Sequence, residues 1–354
     1  MFYEIIIGEN LKAAILERPK KLLVAEAPTP TSVRAGEVII KIEYAAVCGT
    51  DVHLYAGDLP ARYPVILGHE YAGRILMVGP RVRNFKPGDR VVGSYVVYCG
   101  DCRFCISGKY QLCERRLLFG INIDGSFAQY MKVPLADRVL IKVPDDLELR
   151  DAVLIPDMFL TGFCGVEAGV KPGDYVLISG LGGVGLSAAI AAKHAGASLV
   201  IGVDMRDKPL ELAKQLGMDH VIDARKENVA EAVKKLTDGY GVHVAIEASG
   251  APPAIKSALE AIRPSGKLVQ IGIPGKPVEL DLKYLIGMEK SIIGVLNPAT
   301  PIHMERAMNF VKPRISELRK LVTHEYSLDE IVEAMNVAYK KVGDPIKVLI
   351  KVAP

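Results

Sequence analysis

The chain is expected to fold as an α/β protein, with a β-rich first part and a parallel, helix-covered sheet in the second. Three observations predict this. Short Val/Ile runs broken by Gly and Pro fill the first ~150 residues. From Tyr175 on, apolar strands alternate with helices. A glycine loop, Gly180-Leu-Gly-Gly-Val-Gly185, joins the first of those strands to the first helix. With 354 residues, 50% hydrophobic and 24% charged, the chain can fill two cores.

In the first part, strands are expected at Glu37–Ile42, Val65–Leu67, Arg74–Val78 and Arg90–Val92. FKPGDRVVG sets a Pro-Gly turn before the last of them. The region reads as all-β, irregular and barrel-like. The pattern changes near Asp151. YVLISG (175–180) is a buried strand and GVGLSAAIAAKHAG (183–196) a small-residue helix closed by Gly196. SLVIGVD (198–204), a helix over 207–217, HVID, a helix at Asn228–Leu236 and VHVAIEASG follow. A helix at Pro252–Ile262, KLVQIGIPG (267–275) and KSIIGV (290–295) complete the alternation. Strands apolar throughout belong in a parallel sheet covered on both faces. Beyond Asn297, helices are expected at Pro301–Val311 and Leu328–Lys340, and a strand at Ile346–Val352.

Composition excludes several classes. No apolar run reaches the ~18–20 residues of a membrane span. MFYEIIIGEN has neither the basic region nor the long apolar core of a secretory leader, so a cytoplasmic protein is expected. A net charge of +3 without a Lys/Arg stripe gives no footprint for nucleic acid. Seven Asn, four Gln and no Trp make a composition met in thermophiles, where amides are a chemical liability.

G-x-G-x-x-G between a strand and a helix is a dinucleotide-binding loop. Gly180 allows the tight turn and Gly182 the approach of the pyrophosphate. Gly185 lets the helix pack close. Gly183 and Val184 open the helix, whose free N–H groups face the phosphates. Asp204 ends the second strand, where an acid binds the adenosine ribose hydroxyls and repels a 2′-phosphate. NAD is therefore expected rather than NADP, with Arg206 two residues on as the softening charge.

Four of the six cysteines, Cys99, Cys102, Cys105 and Cys113, lie on one loop. Three at x2 spacing suit one tetrahedral zinc better than two disulfides, and four protein ligands make a closed, structural site. A sparser set, Cys48-Gly-Thr-Asp-Val-His53 and Gly68-His69-Glu70, gathers Cys, His and acids between strands. Three such ligands with one open position would make a Lewis-acid site.

These motifs together resemble the zinc-dependent medium-chain alcohol dehydrogenases over almost the whole chain. GHEYAGRILMVGPRV (68–82) is similar to the family's zinc signature, with Gly68, His69, Glu70, Gly73, Gly79 and Val82 in place. The resemblance implies a GroES-like catalytic domain over 1–157 and 297–354 and a Rossmann, doubly wound coenzyme domain over 158–296. It implies NAD, two Zn²⁺ per chain and reversible oxidation of an alcohol to a ketone or aldehyde. It assigns the catalytic zinc to Cys48, His69 and, in an I-P-D-M context, Asp157, with Cys164 as the rival third ligand. Glu70 is implied as a residue supporting the ligands or as a transient ligand itself, Thr50 and His53 as a proton relay, Thr161 as the nicotinamide's seat and Lys347 as a pyrophosphate contact. A homo-tetramer or homo-dimer is also implied.

The I-P-D-M segment is similar to secondary-alcohol dehydrogenases, which typically lack the four-cysteine lobe. C-G-T-D-V-H and S-G-A-P-P are more similar to threonine and polyol dehydrogenases. A secondary alcohol or polyol is the expected substrate, and threonine 3-dehydrogenase or a sorbitol/butanediol enzyme the alternative. A zinc-bearing protein without turnover is the remote one.

Overall fold

The computed structural model describes residues 10–353. The N-terminal stretch read above for a leader lies almost wholly outside them. The chain divides into two units. The described residues up to Asp157, with Pro298–Ile315 and those from Val322 on, form the first; Met158–Asn297 and Ser316–Leu321 form the second. Asn297 and Ser316–Leu321 thus differ from the expected partition. Leu318 and Leu321 are fully buried, and Glu317 pairs with His194 of the second unit at 3.2 Å.

In the first unit a seven-stranded sheet is built around Val38–Val47. Glu70–Val78 pairs antiparallel on one side, with Ala46 opposite Glu70. Lys347–Lys351 pairs antiparallel on the other, with Val47 opposite Val348. The returning strand is anchored by fully buried Leu349 and Ile350, each stabilising by about 1.5–3 kcal/mol. A second sheet joins Asn10–Arg18 to Lys21–Pro28 and Val65–Ile66.

The region expected to be all β also contains a helix, Gly49–Ala56. Its Gly, Thr and Val are weak helix formers, so the sequence hides it. Its ends hold it instead. The Asp51 carboxylate accepts the amide of Cys48 at 2.9 Å, and Gly57 closes the helix in the left-handed conformation.

The second unit carries a six-stranded, all-parallel sheet. Its order is His220–Asp223, Leu199–Asp204, Tyr175–Ser179, Val242–Glu247, Ile262–Gln270, Ser291–Gly294. The chain order reverses between Tyr175–Ser179 and Val242–Glu247, the switch point at which such sheets bind ligands. Helix Gly183–His194 starts there. Helices Leu160–Glu167, entered through a π-helical stretch at Ile155–Phe159, Leu282–Gly287 and Ile315–Arg319 were not expected from the sequence. The segment 328–340 begins with a 3-10 turn at Leu328–Glu330 before Ile331–Lys340. Among the described residues no helix is long and apolar enough to cross a membrane.

Candidate active site

Two strand ends and one irregular turn deliver the first donor group. Cys48 follows Val38–Val47, His69 precedes Glu70–Val78, and Asp157 sits on the π-helical stretch. π-helical turns are rare and often mark functional positions. The ligand atoms of Cys48, His69, Glu70 and Asp157 all lie within 4.8 Å of one another. Asp157 Oδ2 is 3.3 Å from Cys48 Sγ and 3.5 Å from His69 Nε2.

Asp51 stands behind the His69 ring, its Oδ1 3.4 Å from Nδ1, and is itself fixed by the amides of Cys48 and Gly68. A carboxylate there favours a proton on Nδ1, which leaves the Nε2 lone pair for the group, the arrangement that supporting carboxylates give metal-bound histidines. The sequence reading missed Asp51. Its place in the third helical position after Cys48 was the available clue.

Glu70 is fully buried. Its Oε1 accepts Lys347 Nζ at 2.5 Å, and its Oε2 has no hydrogen-bond partner. Lys347, expected at the pyrophosphate, is buried with it and also donates to the carbonyl of Val47 at 3.2 Å. Burial pushes the Glu70 carboxyl up to about 7 against the pull of Lys347. Burial also opposes ionisation of Asp157, yet the hydrogen bond and charge of His69 outweigh it and hold that carboxyl at about 2. The Cys48 thiol is pushed up by burial. An orphaned buried carboxylate oxygen beside a thiol, an imidazole and an ionised carboxylate is a donor set that fits a zinc ion.

Of the expected relay, Thr50 Oγ1 lies 3.9 Å from Cys48 Sγ. The His53 side chain is about one-third exposed and sets Nδ1 3.1 Å from Asp58 Oδ2. Cys164, the rival ligand, is buried in Leu160–Glu167 and is not among the converging donors.

The four loop cysteines form a second group, none of them in a disulfide. Their sulfurs are 3.5 Å (Cys99–Cys113), 3.9 Å (Cys99–Cys105) and 4.0 Å (Cys102–Cys113) apart. A tetrahedron of thiolates around zinc, with bonds of about 2.3 Å, has edges of about 3.8 Å. The amides of Glu114 and Cys105 lower the Cys102 thiol to about 6, while burial raises Cys105 to about 12. A cation would bring both to the thiolate form.

In the second unit Gly180 has φ +89°, and a Cβ there would stand 2.7 Å from Ser249 Cβ. A Cβ on Gly185 would meet the Gly180 carbonyl oxygen at 1.8 Å, whereas one on Gly182 would meet nothing. The loop thus packs tightly on both flanks and is open at the position where a phosphate would approach the backbone. Asp204 closes Leu199–Asp204 and accepts the amide of Leu181 from this loop at 2.8 Å. Thr161 Oγ1 accepts a hydrogen bond from buried Asn297, at 3.2 Å; Asn297 too went unnoticed in the sequence.

A doubly wound dinucleotide fold and a zinc-type donor group on a β-rich unit define a metal-dependent, nicotinamide-linked oxidoreductase. Comparisons with known proteins agree. Residues 34–145 match the alcohol dehydrogenase GroES-like domain and residues 183–312 the zinc-binding dehydrogenase family. The chain is 34% identical over 350 residues to a sorbitol dehydrogenase of Bacillus subtilis (strain 168), covering 97% of this chain and 98% of that one. Among solved structures, one described as a zinc-binding dehydrogenase of Sinorhizobium meliloti 1021 bound to NADP has TM-score 0.90 at 28% identity, covering 98% and 100%. An alcohol dehydrogenase of Escherichia coli CFT073 complexed with NADH has TM-score 0.89 at 29% identity, with the same coverage. The chain belongs to the zinc-dependent alcohol dehydrogenases of the medium-chain dehydrogenase/reductase family, oxidoreductases that act on CH–OH donors with zinc and NAD(P).

Proposed function

We propose that the chain oxidises a secondary alcohol or polyol with NAD. Cys48, His69 and Asp157 would hold the catalytic zinc, and Cys99, Cys102, Cys105 and Cys113 a second, structural zinc. The observation that carries this reading is the convergence of Cys48, His69 and Asp157 beside a buried, unpartnered Glu70 oxygen. Bound there, zinc would supply a Lewis acid for the alcohol oxygen and the nicotinamide a hydride acceptor. Thr50, next to Cys48, would accept the alcohol proton as it gives up its own, and His53, steadied by Asp58, would pass a proton on to solvent through the nicotinamide ribose. Glu70 stands by as an exchangeable ligand. Thr161, held by Asn297, seats the nicotinamide, and the Gly180–Gly185 loop takes the pyrophosphate. The polyol branch is supported by the likeness to a sorbitol dehydrogenase.

The test is NADH absorbance on the zinc-loaded protein with 2-butanol, 2,3-butanediol, sorbitol, threonine and benzyl alcohol. A secondary alcohol or polyol should lead. Silence across the panel would leave the reading without turnover standing. Metal analysis of the same sample should give two zinc ions per chain, one removed by chelator together with activity. One ion or none would count against the assignment.

A homo-oligomer is proposed on the outer strand of the parallel sheet. Ser291–Gly294 ends the sheet order, and Ile292, Leu296, Leu282 and Ile286 around it are exposed, Ile286 by 78%. An open edge beside exposed apolar side chains invites a second copy. Ile286→Asp should shift sedimentation velocity toward the monomer; a wild type already monomeric would refute this.

A further inference from the structure

Across the switch point, the parallel sheet ends in a buried acid to which the proposed reaction gives no part. Glu247 closes Val242–Glu247 and is fully buried. In the sheet register it lies between Ser179, the residue before Gly180, and Gln270. Its Oε1 accepts the amide of Ser249 at 2.9 Å and the Ser249 hydroxyl. Its Oε2 accepts the amide of Gly250 at 3.0 Å and Gln270 Nε2 at 2.6 Å. Four neutral donors thus fill the about four lone-pair sites of a carboxylate. Burying an acid among neutral groups costs desolvation that an apolar side chain of the same size would avoid. What the carboxylate adds is the gathering of those four donors.

The donors belong to two turns that meet backbone to backbone. The Glu247 carbonyl accepts the amides of Ile271 and Gly272 at 2.9 and 2.8 Å. Gly250 has φ +69°, and a Cβ there would overlap the Ile273 carbonyl oxygen. A Cβ on Gly272 would overlap the Gly250 amide and stand 2.9 Å from Glu247 Oε2. The first of these turns also backs the glycine loop. Ala248 donates its amide to the Ser179 carbonyl at 2.8 Å. A Cβ on Gly180 would stand 2.8 Å from the Ser249 amide nitrogen, and one on Gly185 would touch Ala248 Cβ at 3.5 Å. The place of Gly180 therefore depends on Ser249, and that of Ser249 on Glu247.

We propose that Glu247 is a positioning residue for the dinucleotide: its carboxylate holds the Ser249–Gly250 turn against Gly180 and so fixes the loop in the shape that receives the pyrophosphate. The proposal rests on reading the Gly180–Gly185 loop as the dinucleotide site. Glu247 acts through Ser249 and not by touching the ligand. A loop ordered before the ligand arrives spares binding the cost of ordering it.

Glu247→Gln tests this with little change of volume. Whichever way the new amide turns, two of the four donors face an NH₂ group. Fluorescence titration of the zinc-loaded protein with NADH should show the dissociation constant raised by about tenfold or more. The KM for NAD should rise with it, while kcat at saturating NAD is kept. Ser249→Ala removes one donor to the carboxylate and should raise the same constant severalfold, which keeps the proposal testable should Glu247→Gln not fold. A structural role alone would lower the thermal midpoint and the fraction of competent sites and leave the dissociation constant of the folded protein unmoved. That result in either variant overturns the proposal, and the dinucleotide reading still stands. A wild type that binds neither NADH nor NADPH overturns both.

Discussion

Asp157→Ala should lose one of two zinc ions per chain and fall in kcat by about 10³-fold or more, the scale of several kcal/mol of Lewis-acid stabilisation. The four-cysteine zinc and the fold should survive. Asp157 is held by a turn that no other donor shares, and it is the group in touch with both Cys48 and His69. Without it two first-rank donors remain, and Glu70 has one oxygen committed to Lys347. Open catalytic zinc sites use three protein ligands, so the ion should leave. Asp157→Cys restores a −1 donor and should keep metal. Elemental analysis with kinetics on both variants decides the matter. If Cys164→Ser empties the site and Asp157→Ala does not, the assignment of this segment is wrong.

Lys347→Met should destabilise the first unit by about 3–5 kcal/mol, the usual cost of stripping one partner from a buried ion pair. The thermal midpoint of apoprotein should fall by on the order of 10 °C. The ammonium and the Glu70 carboxylate are both almost without solvent. Glu70→Gln in the Lys347→Met background removes the stranded charge and should recover most of the loss. A midpoint unmoved in the single variant would show that the pair carries no weight. The same variants also separate the two roles of Lys347. If the lysine reaches the pyrophosphate as well, the double variant recovers stability but not NADH affinity.

The elements with strong local pattern were legible in the sequence. The glycine loop between a strand and a helix, the x2-spaced cysteines and the apolar strands of 175–295 each carry their meaning within a few neighbouring residues. The proposed ligand role of Asp157 was different: it came from resemblance, because a π-helical stretch has no hydrophobic period to read. Helix Gly49–Ala56 was hidden because its stability comes from Asp51 and Gly57 rather than from propensity. The buried acid partner of Lys347 was hidden for a related reason. In PIKVLIKV Lys347 shares a strand face with Lys351, and strand alternation treats the two alike. Lys351 is exposed and Lys347 is buried, and the difference is the acid at position 70. Pairing between residues 70 and 347 is a matter of sheet register, which no local window contains.

That register has a consequence for synthesis. The strand Lys347–Lys351 is laid beside Val38–Val47, so on the ribosome its docking must wait until all the residues between them have emerged. Between the appearance of Asp157 and that of Lys347, at ordinary elongation speed, about ten to forty seconds pass. The contiguous Met158–Asn297 segment can fold during this interval. Meanwhile the nascent first unit holds an acid, a thiol and an imidazole without their counter-cation. Metal loading is therefore expected either after Lys347 has docked or before it, shielding Glu70 until its lysine arrives. Arrested chains ending before and after residue 347 would tell the two apart by their zinc content.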